Sequence, residues 1–149
     1  MLINSIITAL ADLLKTISYD SSTLSDLGLV KTYEDFELDK YGSEIQVYFD
    51  TLESRIADNA TNQRNLSINI DIWCDLVGKQ EQGVANSNEL TEKVLEKLEK
   101  FLPKVGSSIP NPNNIHVNNN LIKASKLRVA DGKALRRITF EVFEFVSTI

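Results

Sequence analysis

The sequence predicts an α+β fold: a mainly antiparallel sheet of about four strands with two helices packed on one face, in the order α-β-β-α-β-β. Three observations carry this expectation. The run "NLSINIDIWCDL", Asn65 to Leu76, alternates apolar and polar residues without a slip, as a strand with one buried and one wet face does. Two stretches, Leu2 to Ile17 and Leu90 to Leu102, instead repeat apolar residues at helical spacing. Near the end, Asp131-Gly132 stands between two β-rich runs, a hairpin signal. The 149 residues fit one domain, 1–149. A chain of this size buries roughly 68–70% of its unfolded surface and needs no disulfide or metal to hold it.

In the first helix, Leu2, Ile3, Ile6, Ile7, Leu10, Leu13, Leu14 and Ile17 form a wide apolar stripe that should pack on a sheet. Asn4 and Ser5, or the chain start, are its candidate caps. "SYDSSTLSDLGLV" breaks the pattern and reads as a turn. Glu44 to Asp50 alternates Ile45, Val47 and Phe49 with Gln46 and Tyr48, which predicts a strand. Thr51 to Arg64 lacks a clear period and reads as a long loop before the Asn65–Leu76 strand.

"VGKQEQGVANSN" reads as a polar connection, with Asn86 or Asn88 capping the second helix and Glu89 three residues after Asn86. That helix carries Leu90, Val94, Leu95, Leu98, Phe101 and Leu102 on one face, and Pro103 and Gly106 stop it. "SSIPNPNNIHVNNN" reads as a loop with a short extended piece at Ile115–Val117. The final hairpin joins "IKASKLRV" to "ALRRITFEVFEFVSTI". In the last strand the apolar phase switches from Ile138, Phe140 and Val142 to Phe143 and Phe145. Either a bulge near Val142–Phe143 or burial on both faces accounts for the switch.

Composition excludes several classes. A net charge of −5 argues against general nucleic-acid binding. No apolar run is long enough for a transmembrane helix. The apolar start carries Asp12 and Lys15, with no basic leader or obvious cleavage site, so it does not read as a secretory signal. The single cysteine, Cys74, falls on the apolar phase of its strand and reads as a packed side chain. The single histidine, His116, has no Cys/His spacing around it and reads as a loop residue. Nucleotide-binding glycine motifs and the nucleophile-elbow pattern are lacking. The expectation is therefore a protein that is not an enzyme, without cofactor or metal.

Charge distribution says more than the total. Residues 1–82 hold 6 Lys/Arg against 14 Asp/Glu, and residues 83–149 hold 10 against 7. An acidic run comprises Glu34, Asp35, Glu37 and Asp39. A basic cluster comprises Lys123, Lys126, Arg128, Lys133, Arg136 and Arg137. The cluster reads either as a surface for an acidic protein partner or as a solvated hairpin, and the two charged regions are candidate complements within one chain or between copies. Trp73, alone among the polar residues of its strand, either covers the sheet's second face against its own chain or anchors an interface. A scattered exposed aromatic is the third reading.

The layout as a whole resembles the tail terminator (tail completion, head–tail joining) proteins of long-tailed bacteriophages. The likeness lies in the N-terminal helix "LINSIITALADLLKTIS", the extended "GLVKTYEDFELDKYGSEIQVYFD" and the alternating "RNLSINIDIWCDLVG". It continues in the helix "NSNELTEKVLEKLEKFL" and the late strand "LRRITFEVFEF". The resemblance implies a structural virion protein without catalysis. Such a protein forms a hexameric ring on the finished tail tube, stops tube polymerisation and offers the docking face for the head connector. DNA passes through the lumen without sequence-specific binding. It implies a place at the head-proximal end of the tail, assembly in the host cytoplasm, and no membrane. In such a ring Trp73, Lys126, Arg128, Arg136, Arg137, Glu34, Asp35 and Glu37 are the candidate interface residues, with the acidic front half and the Lys123–Arg137 hairpin as complements between subunits. The alternatives are another head–tail connector or tail-tube component, or an unrelated small α+β binding module.

Overall fold

The computed structural model describes residues 3–19, 22–23, 30–35, 43–76, 80–102, 116–130 and 132–147. It is α+β, with two helices and a mixed six-stranded sheet. In chain order the elements are α1 (Ile3–Leu14), β1 (Ser18–Tyr19), β2 (Ser22–Thr23), β3 (Val30–Lys31), β4 (Glu44–Ile56) and β5 (Thr61–Asp75). They continue with α2 (Gln80–Phe101), β6 (His116–Ala124), β7 (Arg128–Ala130) and β8 (Lys133–Ser147). The sheet order is β3-β4-β5-β8-β6, with β7 also beside β8; β1 and β2 form a separate antiparallel pair.

The sheet is thus larger than the four antiparallel strands expected, and it is not purely antiparallel. β3 lies parallel to β4 and pairs only Val30 with Ile45 and Lys31 with Gln46. Two-residue strands are too short to show an alternating pattern. β6 and β7 contain the expected strand Ile122–Val129, interrupted at Ser125, but β6 begins at His116, inside the stretch read as a loop, and His116 is a strand residue opposite Phe143. At the interruption the Ser125 amide donates to the Arg137 carbonyl at 2.7 Å, and the Ser125 hydroxyl accepts from the Arg137 amide at 3.0 Å. Ala130 opposite Lys133 closes the expected hairpin, with Gly132 at φ 74° supplying the left-handed residue such a turn requires.

Both helices lie on one face of the sheet over a single core. α1 buries Ile7, Leu10, Ala11 and Leu14, an i, i+3, i+4, i+7 stripe. It ends where the Thr16 hydroxyl donates to the Leu13 carbonyl at 2.6 Å. Opposite lie Ile45 and Val47 of β4, Leu66, Ile68, Ile70 and Ile72 of β5, and Ile138, Phe140 and Val142 of β8. Burying each such side chain contributes roughly 1.5–3 kcal/mol. Cys74 belongs to this core, as its phase predicted.

Three local expectations are corrected. The presumed loop 51–64 is mostly strand: β4 runs on to Ile56, β5 starts at Thr61, and the amides of Ala57 and Asp58 donate to the Thr61 carbonyl at 3.0 and 3.2 Å. Residues 51–56 are exposed on both faces, so nothing selects an apolar period there. α2 starts at Gln80, well before the Asn86 and Asn88 caps. Its entry is set by Gly83, where an added Cβ would come within 2.5 Å of the Asp75 carbonyl oxygen and of Leu76 Cδ2. Small residues here let the helix approach the end of β5, at the expense of helix propensity. Finally, β8 has no bulge at Val142–Phe143, since its register with β5 is continuous from Lys133 to Ser147. The phase switch instead puts Phe143 and Phe145 on the helix-free face, ring centroids 5.8 Å apart in an edge-on contact, and Glu144 opposite Arg64 on the other. The irregularities fall on β4, between Phe49 and Thr51, and on β6, between Val117 and Ile122.

Candidate functional site

The polar phase of β5 was expected to meet water, yet Asn65, Asn69 and Asp71 are buried. Alternation along β4, β5 and β8 brings Gln46, Asp71 and Arg137 into one row across the helix-free face, with Tyr48 one pleat away. Burial of these groups is compensated by bonding. Arg137 Nε donates to Asp71 Oδ1 at 2.7 Å, and its Nη2 reaches Asp71 Oδ2 at 3.1 Å and the Tyr48 hydroxyl oxygen at 3.0 Å. The Tyr48 hydroxyl donates to Asp71 Oδ2 at 2.6 Å. Burial, then the neighbouring Asp71 carboxylate, pushes the Tyr48 phenol far above its ordinary range. The Asp71 hydrogen bond holds the Arg137 guanidinium charged, above its already high value.

A second cluster adjoins the first. Lys31 Nζ bonds Asp35 Oδ2 at 2.7 Å and Glu44 Oε1 at 2.5 Å. The Gln46 amide nitrogen donates to Glu44 Oε2 at 2.7 Å, and Gln46 Oε1 accepts the Asp35 backbone amide at 3.1 Å. Hydrogen bonds to Asp35 and then Glu44 raise the Lys31 ammonium above its usual range. The stretch after β3 is thereby clamped to the sheet, and Glu34, itself exposed, acts electrostatically on both Tyr48 and Arg137.

The structure therefore brings Glu34, Asp35 and Arg137 together within one chain. Arg136 is separated from them. It points to the helix side and donates from Nη2 to Asn88 Oδ1 at 3.0 Å, linking β8 to α2. Lys126 and Arg128 are exposed along the β6–β7 edge. Glu37 lies outside the described residues. Trp73 is half-buried in a row that runs Glu44, Trp73, Leu135, Arg128, and its indole N–H has no acceptor among the described residues.

Sequence reasoning missed Lys31, Glu44, Gln46, Tyr48 and Asp71. The available signal was that the polar phases of β4 and β5 are rich in Gln, Tyr, Asn and Asp rather than in lysine, the residue type of a solvated strand face. Chemically, the clusters clamp; they offer no activated nucleophile. The Cys74 thiol is buried and its pKa is pushed up by that burial. Among the described residues no group of three or more His, Cys, Asp or Glu side chains is placed to hold a metal ion, and no helix is long and apolar enough to cross a membrane.

No protein-family model matches the chain, and neither does any curated protein. Among solved structures, one protein that carries no functional name superimposes over 97% of this chain and 96% of its own, at 14% identity and a TM-score of 0.45. A likeness at that level says nothing about activity or partners.

Proposed function

We propose that this chain is a ring-forming structural protein of a phage tail. In this reading it caps the finished tail tube as a hexameric ring, stops further polymerisation and presents the docking surface for the head connector. One observation supports it best. The β4–β5 hairpin runs past the helix layer, so that every residue from Phe49 to Asn59 is exposed. This end of the sheet displays Phe49, Leu52 and Ile56 (82% exposed) on its helix side and Phe145 of β8 on its other side. Exposed apolar residues on a hydrogen-bonded ribbon mark a contact surface. A ring requires two different patches of one subunit to meet, and the exposed Lys126 and Arg128 stand on the opposite edge from this hairpin.

The test is the mass in solution by light scattering over a range of concentrations, followed by negative-stain imaging with purified tail tubes. Rings at tube tips and a fixed tube length are expected. Tubes that keep growing, with bare tips, reject the terminator role; rings that stack into tubes make the chain a tube component instead.

A further inference from the structure

We infer that the two outer edges of the described sheet are complementary and join copies of this chain head to tail. The β4 edge of one copy, Phe49 to Ile56, takes the β6 edge of the next, Leu121 to Ala124, as an antiparallel neighbour. This rests on the ring-forming part of the reading above and is independent of tube capping.

Beyond Gln46 the outer edge of β4 has no strand partner among the described residues, because β3 pairs only with Ile45 and Gln46. The run "FDTLESRI" is exposed throughout and contains neither proline nor lysine; its one irregularity, between Phe49 and Thr51, lies at its start and leaves Thr51 to Ile56 in continuous register. With no strand partner among the described residues, its outward backbone groups are a template for another strand. On the far side of the sheet β6 is the last described strand, with Leu121 and Lys123 exposed.

Direction and facing both fit. β4 is antiparallel to β5, β5 to β8, and β8 to β6, so the two edges run in opposite senses. Copies repeated without being turned over then meet as antiparallel strands, which is the heterologous contact a ring needs. One row crosses the whole sheet from edge to edge: Phe49, Ile68, Phe140, Ile122. Phe49, Leu52 and Ile56 thus share the helix side with Ile122 and Ala124. Glu53, opposite Asn65, and Lys123, opposite Thr139, share the helix-free side. With Glu53 set opposite Lys123, Leu52 faces Ala124 and Ile122 faces Ser54 between Leu52 and Ile56, so the helix side of the joint is mainly apolar while opposite charges meet on the other. Cross-strand pairs of both kinds stabilise a sheet.

The experiment uses Glu53→Cys and Lys123→Cys variants of the full chain, both at exposed positions; the buried Cys74 does not compete. Mixed under mild oxidation, they are expected to give a disulfide-linked dimer containing one of each, while either alone gives none. In parallel, Lys123→Glu should raise the concentration at the assembly midpoint at least tenfold, and adding Glu53→Lys should restore it. An oligomer by light scattering without the mixed cross-link overturns the inference and leaves the ring reading standing. So does cross-linking of either variant to itself, which indicates a two-fold contact, or of Glu53→Cys to tube protein alone. A monomer under all conditions, with no cross-link, overturns both. A mixed cross-link without tube capping upholds the edge pairing and rejects the terminator role.

Discussion

Asp71 is nearly sealed from water and satisfies two neighbours at once, Arg137 and Tyr48. Removing one partner of a buried ion pair costs on the order of 3–5 kcal/mol. Arg137 keeps 37% of its side chain exposed, so Asp71→Ala should cost less, about 2–3 kcal/mol, read from urea unfolding. Tyr48→Phe removes a shared hydroxyl and should cost about 1 kcal/mol. The raised Tyr48 pKa has a signed consequence. The protonated phenol is favoured in the folded chain, so its contribution to stability is complete below the ordinary phenol value of about 10 and is lost as the pH climbs past it. Tyr48 should therefore ionise only above the ordinary phenol range. An ultraviolet titration in which its absorbance step coincides with unfolding would agree; an early step that Tyr48→Phe removes would not. None of this was legible in the sequence, where Tyr48 and Asp71 sat on a phase that alternation assigns to water. Alternation distinguishes two faces but does not say whether long polar side chains and a returning segment close over the second.

Among the elements, those that bury an apolar face were the readable ones. α1, the core stretch of β5 and the turn at Gly132 stand where the period or the turn residues put them. The β4–β5 hairpin was unreadable because its outer half buries nothing, and the first turns of α2 because they pack with small residues rather than large ones. Gly83 and Ser87 are buried there ahead of Leu90, Val94 and Leu98, so the stripe continues in a size the apolar count ignores. Gly83→Ala puts this to a test. On helix propensity alone it should gain about 1 kcal/mol. Because the Asp75 carbonyl blocks the new methyl group, a net loss of about 1–3 kcal/mol is expected, measured by thermal unfolding. A rise in Tm would mean that α2 enters differently.

At the scale of the whole molecule, the uneven charge along the chain was legible and its use was not. The attraction between acidic front and basic end is spent partly inside the chain, in the bonds of Arg137 to Asp71 and of Lys31 to Asp35 and Glu44. What stays outward along the two edges is Lys123, Lys126 and Arg128 on one and Asp50, Glu53 and Arg55 on the other. Charge reversal at Arg136 or Arg137 would therefore disturb folding, whereas reversal at Lys123 addresses assembly alone. The unbroken register of β5 with β8 has one more consequence. From Thr61–Ser147 to Asp75–Lys133 the two central strands are matched residue for residue, with no irregularity at which to part. A tension drawn along their common axis loads every rung together instead of peeling them one after another. The middle of the sheet is consequently the part in which a pull along the strands is shared among the most backbone bonds.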